Sequence, residues 1–326
     1  MTGFKEKRKE KLESKVRELV HPTLEPPSPA DIMDLSKSID YSALRGKTAL
    51  ITGAAGGLGR GMALEWAKNG ATIVIADLNE KAGKETVEEL KKISGSDSHT
   101  FVNCNVVSWD AQVAMFKQAI NASPNGGIDI VVANAGIGES DKEAFSLDGP
   151  QEPKKPNLLT LDVDLNALVY TSHLAYWAFG QANKNAGSPR TGTLLLLGSV
   201  ASLTNTPETP LYGAAKHGVL GLFRSLRTPH LFTETNRNKS KDGKTNVKVN
   251  LLCPYFTDTN IIRDESGKKA LPDFVQLSKI EKVIEAATRL VTDEKGGKAL
   301  VIMPESLAKG RGKGGIWELE RLQAKL

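Results

Sequence analysis

Tyr212 and Lys216 stand four residues apart in a stretch, residues 209–222, that reads as a helix. Four apart on a helix means one shared face, so the phenol and the ammonium can act on the same atom. A phenol ordinarily keeps its proton to about pH 10, and a cation beside it favours the phenolate. A tyrosine so placed can work as a general base near neutral pH. Spacing alone fits a half-buried tyrosine beside a surface lysine better, and the pair gains meaning only from its surroundings. A second group is Thr52, Gly53, Gly57, Leu58 and Gly59, in a glycine-rich turn that follows an apolar run and opens a helix. Glycines there let the backbone turn tightly and approach a pyrophosphate, whose charge meets the helix N-terminus. Asp77 closes the next apolar run about twenty residues on, where a carboxylate accepts from adenosine ribose hydroxyls and repels a 2′-phosphate. Neither Gly56 nor Leu78 supplies an offsetting cation, so NAD is favoured over NADP. Asp77 also fits a simple cap for the following helix.

The elements that must position these groups are legible as a pattern. Residues 47–51, 72–76, 101–106, 128–133, 193–197, 247–252 and 298–303 are apolar runs of the kind buried on both faces of a sheet. Residues 58–69, 80–93, 110–121, 158–183, 212–227 and 278–292 suit helices. Such alternation predicts an α/β, doubly wound (Rossmann) fold with a seven-stranded parallel sheet. The expected organisation is one domain over 46–305, preceded by an N-terminal arm over 1–45 and followed by a tail over 306–326. In the arm, residues 4–20 are rich in Lys, Arg and Glu, with Leu12, Val16, Leu19 and Val20 at helical spacing, and a proline-dense connector follows at 21–29. A solvated or subunit-packing arm is the favoured reading, and contact with a membrane surface stays open.

Composition excludes several classes. The chain has 326 residues, 40% hydrophobic and 25% charged, an ordinary balance for a soluble globular protein. Its net charge of +5 is mild and is not gathered with aromatics, so nucleic acid is not the first partner to propose. Cys104 and Cys253, the only cysteines, both fall in strand-like runs and read as reduced apolar residues; they cannot assemble a metal site. No stretch reaches the roughly 18 apolar residues of a membrane span, and no secretory h-region opens the chain, so the cytosol is the expected location.

Four motifs in order resemble one family. The Thr52-to-Gly59 turn, Asn134-Ala135-Gly136 after the fourth strand, Ser199 thirteen residues before Tyr212, and Tyr212 with Lys216 are together similar to the short-chain dehydrogenases/reductases. The resemblance covers residues 46 to about 305. It implies that Tyr212 exchanges a proton with the substrate oxygen during hydride transfer, that Lys216 holds the nicotinamide ribose and depresses the tyrosine pKa, and that Ser199 hydrogen-bonds the substrate oxygen. It assigns Asn166 to holding a water beneath the lysine for proton relay. Asn134 then steadies the central strands, with Ala135 and Gly136 leaving room for the adenosine side. Asn105 and Val106 lie where the family has an Asp-Val pair reading adenine; Asn105 still offers a carbonyl acceptor. Thr257 and Thr259 match the Thr-bearing turn that reaches the nicotinamide carboxamide, and Tyr255 replaces a usual glycine there.

The substrate end is expected from residues 200–210, 137–156 and 255–274. Val200, Ala201, Leu203, Tyr255, Phe256, Ile261 and Ile262 make it mainly apolar, which suits a lipophilic or aromatic secondary alcohol. No basic residue is firmly placed for a carboxylate; Arg263 is the nearest candidate. Within the family the chain resembles the 15-hydroxyprostaglandin dehydrogenase-like branch and fungal polyketide alcohol dehydrogenases. Family likeness also implies a homodimer or homotetramer formed through the helices at 158–183 and 212–227. The polar, basic segment 237–244 reads as a surface loop, and 316–322 as an amphipathic stretch covering the pocket or a neighbouring subunit. Two alternatives are an NADPH-dependent ketoreductase of a biosynthetic pathway and a nucleotide-sensing or scaffold protein without turnover.

Overall fold

A computed structural model describes residues 33–141, 143–147, 152–182, 190–227, 239, 241, 245–262, 271, 272, 275–307 and 315–319. The basic stretch 4–20, the connector 21–29, Arg263, residues 320–322 and nearly all of 237–244 lie outside them. Among the described residues, the seven apolar runs and the segment 316–318 form eight strands: β1 (Thr48–Thr52), β2 (Thr72–Asp77), β3 (Thr100–Asn103), β4 (Ile130–Ala133), β5 (Arg190–Leu197), β6 (Thr245–Pro254), β7 (Ala299–Ile302) and β8 (Ile316–Glu318). They lie in one sheet in the order β3-β2-β1-β4-β5-β6-β7-β8. The first seven are parallel, and β8 runs antiparallel to β7.

Among the described residues, the helices longer than one turn are α1 (Gly57–Lys68), α2 (Glu80–Ser94), α3 (Trp109–Ala122), α4 (Ala167–Ala182), α5 (Pro210–Arg227) and α6 (Ile280–Thr292). Residues alternate along each strand between two cores, as the period of two requires. Leu50, Val74, Val131 and Leu196 face α3, α4 and α5, where Phe116, Phe179 and Phe223 pack. Ile51, Ile75, Val132 and Leu195 face α1, α2 and α6, where Trp66, Leu90 and Leu290 pack. Each such side chain removed from water contributes about 1.5–3 kcal/mol, so the sheet is the rigid frame of the molecule. At the amino ends of the strands, buried Asp129 accepts the Thr48 N–H at 2.9 Å and pairs with Arg190 at 2.9 Å, tying β1, β4 and β5 together. The chain winds outward in one direction from β1 to β3, then returns to start β4 on the other side of β1. That reversal opens a crevice at the carboxyl ends of β1 and β4.

Two sequence expectations need correction. The sheet has eight strands, one antiparallel, and the eighth uses residues 316–318 that read as an amphipathic tail. Gly315, at φ +81°, turns the chain back so that Met303 and Gly315 pair through their backbones. Ile316, Trp317 and Leu319 are consequently buried in this chain's own cores, neither roofing a pocket nor left for a neighbour. The arm's last part also joins the body: Met33 is buried and its N–H donates to Glu318 at 3.1 Å. Among the described residues no helix is long and apolar enough to cross a membrane.

Candidate active site

The glycine turn sits at the mouth of the crevice. Gly53 and Gly57 take φ of +66° and +53°, a region L side chains rarely adopt. A Cβ on Gly59 would lie 2.5 Å from the Gly53 carbonyl oxygen, so helix α1 can rest this close to the turn only with glycine there. Gly56 caps α1 without a side chain, leaving the first-turn N–H groups for an anion. Asn134 pins the arrangement from β4: its Nδ2 donates to the carbonyls of Thr52 (2.8 Å) and Gly53 (3.0 Å), and the N–H groups of Asn134 and Ala135 both donate to Thr52 Oγ1. Asp77, at the end of β2, accepts the Ala55 N–H at 3.0 Å on one oxygen and the Asn79 N–H at 2.9 Å on the other. Leu58 is half-buried in the first turn of α1, and Thr259 stands 3.5 Å from where a Gly57 Cβ would be. This cradle of positive-φ glycines, a helix start with no side-chain cap and a fixed carboxylate suits a dinucleotide.

Asn105 and Val106 lie in the loop after β3. Val106 is buried, whereas Asn105 is exposed and its Oδ1 accepts the Val107 N–H at 3.1 Å, so that carbonyl is already engaged by its own loop. Thr257 is buried and donates to the Tyr255 carbonyl at 2.9 Å. Tyr255, in place of a glycine, fits because no described non-glycine residue has a positive φ; its ring meets Phe256 edge-on at 4.9 Å.

Helix α5 carries Tyr212 and Lys216 to the end of β5. Lys216 is 5% exposed, with Nζ 5.4 Å from the centre of the Tyr212 ring and 3.3 Å from the Leu197 carbonyl. Two residues past Leu197, Ser199 caps a 3-10 turn (Val200–Ser202), accepting the Ala201 N–H at 3.1 Å and donating to the Pro254 carbonyl at 3.5 Å. Tyr212, Lys216 and Ser199 are thus gathered at one strand end, beside the crevice.

Asn166 is not brought there. It is exposed, and its Nδ2 donates to Asp162 at 2.9 Å. The side chain that meets Lys216 is Asp164, on a π turn (Asp162–Asn166) leading into α4; its Oδ2 lies 2.9 Å from Nζ, and Oδ1 accepts the Ile137 N–H at 2.8 Å. Gly136 gives it room, since a Cβ there would come within 3.1 Å of Oδ2. Helix phase is the signal that identifies Asp164: it lies four and seven residues before Leu168 and Thr171, both buried, whereas Asn166 lies four before exposed Tyr170. Sequence reasoning also passed over Glu139, which accepts the Tyr212 N–H at 3.0 Å at the start of α5. Burial alone depresses the Lys216 pKa, but the electrostatic pull of Asp164, with further contributions from Tyr212 and Cys253, more than offsets it, and the pKa stands above its ordinary value. Burial pushes the Cys253 thiol up to about 12 and that of Cys104 up to about 11, which leaves both inert.

The family model for short chain dehydrogenases matches residues 47–270. The chain is 31% identical to the 5'-hydroxyaverantin dehydrogenase of Dothistroma septosporum, over 83% of this chain and 89% of that one. It is likewise 31% identical to the NADP-dependent dehydrogenase M3 of a Phoma species (80% and 76% covered). Identity to the mouse (Mus musculus) 15-hydroxyprostaglandin dehydrogenase [NAD(+)] is 26% (72% and 76% covered).

Proposed function

We propose that this chain, which belongs to the short-chain dehydrogenase/reductase family and is an NAD(P)-dependent oxidoreductase, interconverts a lipophilic or aromatic secondary alcohol and its ketone. The observation that carries the reading is the meeting of Tyr212, Lys216 and the Ser199 turn at the end of β5, next to the glycine cradle. Bound NAD(P) supplies the hydride acceptor or donor. Tyr212 takes the proton from the alcohol oxygen, or gives it to the carbonyl oxygen in the reverse direction, and the Ser199 hydroxyl steadies that oxygen. Lys216 holds the nicotinamide ribose. The apolar walls, with Ala201 and Ile262 buried and Phe256 and Ile261 exposed, support a lipophilic substrate. A relative named for 5'-hydroxyaverantin supports a hydroxylated one.

NAD is the proposed cofactor, because Asp77 is fixed where a 2′-phosphate would be repelled. The second reading, an NADPH-dependent ketoreductase, is favoured by the name of the Phoma relative. We further propose a homodimer or homotetramer, supported by exposed Val169, Tyr170 and Trp177 on α4. A screen of lipophilic secondary alcohols and ketones, read by reduced-cofactor absorbance with NAD and NADP in parallel, tests the assignment. The expected result is turnover with NAD at about tenfold or higher kcat/KM than with NADP, equal to about 1.4 kcal/mol or more. Preference for NADP would defeat the Asp77 argument, and cofactor binding without turnover of any substrate would favour the scaffold reading.

A further inference from the structure

Lys216 is held by a carboxylate that neither the proton exchange nor the ribose contact uses. Asp164 Oδ2 lies 2.9 Å from Lys216 Nζ, and the two side chains are 1% and 6% exposed. The contact pairs the carboxylate and the ammonium directly. Three elements fix the carboxylate: the π turn that carries it, the Ile137 N–H after β4, and the lysine. At such depth charges are weakly screened and act strongly on their neighbours.

Among the described residues, four groups surround Nζ. Asp164 faces it from the π turn, Tyr212 from its own helix, Cys253 from β6, and the Leu197 carbonyl from β5. The Cys253 thiol, pushed up to about 12, is neutral in the working range. Glu139 adds a second carboxylate on the other side of Tyr212, at its backbone N–H. Among the described residues, Asp164 is therefore the charged group in direct contact with the ammonium.

We propose that Asp164 is a positioning residue that partly cancels the field Lys216 projects onto Tyr212, and so sets the pH range in which the pair serves each direction of the reaction. An unaccompanied ammonium 5.4 Å from the ring would favour the phenolate, and a carboxylate 2.9 Å from that ammonium opposes it. Alcohol oxidation, which needs Tyr212 as proton acceptor, is thereby moved to higher pH. Ketone reduction, which needs it as donor, is extended upward. The direction-specific part rests on the proposed alcohol–ketone chemistry; the charge coupling does not.

Asp164→Asn keeps an acceptor for the Ile137 N–H and removes the charge. Two measurements on it separate the two readings. In the cofactor-free protein, the tyrosinate absorbance of Asp164→Asn minus that of its Tyr212→Phe double variant should titrate about 1–2 pH units below the corresponding wild-type difference. With an alcohol substrate, the acid limb of kcat/KM should fall by a similar amount. An unmoved absorbance midpoint in a folded variant would overturn the proposal, even where turnover changes. A shifted midpoint with no turnover on any alcohol or ketone would support the coupling and sink the assigned chemistry. If Asp164→Asn does not fold alone, Lys216→Met is compared with and without it by urea midpoint. Coupling makes the double variant more stable than Lys216→Met, whose buried carboxylate is left unpaired; equal or lower stability would refute it.

Discussion

The Tyr212 hydroxyl is one atom whose removal leaves nearly everything else in place. Phenylalanine keeps the ring that packs beneath Lys216 and keeps the backbone N–H that Glu139 accepts. Tyr212→Phe therefore isolates proton exchange from packing. A positioned acid–base group contributes about 10²–10⁴-fold, so kcat should fall by that factor while cofactor affinity, measured by fluorescence titration, stays within about threefold. Undiminished kcat would remove Tyr212 from the chemistry. Lys216 cannot be tested as cleanly, because deleting its ammonium also strands the buried charge of Asp164.

The turn between β1 and α1 gives the corresponding test for an element. Gly59→Ala adds a Cβ that would sit 2.5 Å from the Gly53 carbonyl oxygen and 2.7 Å from Asn134 Nδ2, and backbone on one side cannot yield. The helix must move outward, which costs about 1–3 kcal/mol in urea unfolding and should weaken cofactor binding about tenfold or more through the displaced helix start. Gly221→Ala, on the exposed side of α5 with no atom within 4 Å, is the control and should stabilise by up to about 1 kcal/mol. Such a turn is legible in a sequence because glycine is nearly the only residue that fits it, and β1 through β7 were legible because strands buried on both faces are continuous apolar runs. The residues that escaped were those whose role depends on phase or on distant contacts. Asp164 and Asn166 are two apart and alike in type, and only the buried stripe of Leu168, Thr171 and Ala175 says which one points inward. Strand β8 escaped because Ile316, Trp317 and Leu319 fit an amphipathic helix as well as an edge strand, and the choice is made by Gly315 turning the chain onto β7. Glu139 reaches Tyr212 across 73 residues of sequence, a pairing that no local pattern encodes.

At the scale of the whole molecule, the described residues cover each face of the sheet with three long helices, yet the outer side of α4 remains apolar. Val169, Tyr170 and Trp177 lie within nine residues on the outer side of α4, and Trp109 at the start of α3 meets Tyr170 edge-on at 5.5 Å. Tyr170 and Trp177 are seven apart, two helical turns, so they form a stripe rather than scattered exposures. Aromatic residues of this kind are enriched at subunit interfaces, and a stable contact buries roughly 1,200–2,000 Å² in total. A self-complementary face of this kind meets its own copy across a twofold axis. The protein should therefore elute as a dimer or tetramer by light scattering at micromolar concentration. Tyr170→Glu combined with Trp177→Glu should yield monomers whose circular dichroism is unchanged, because both side chains are about one-third exposed and neither lies in the cores. A wild-type protein that is already monomeric, or a double variant that keeps its mass, would show that this face is not where copies of the chain meet.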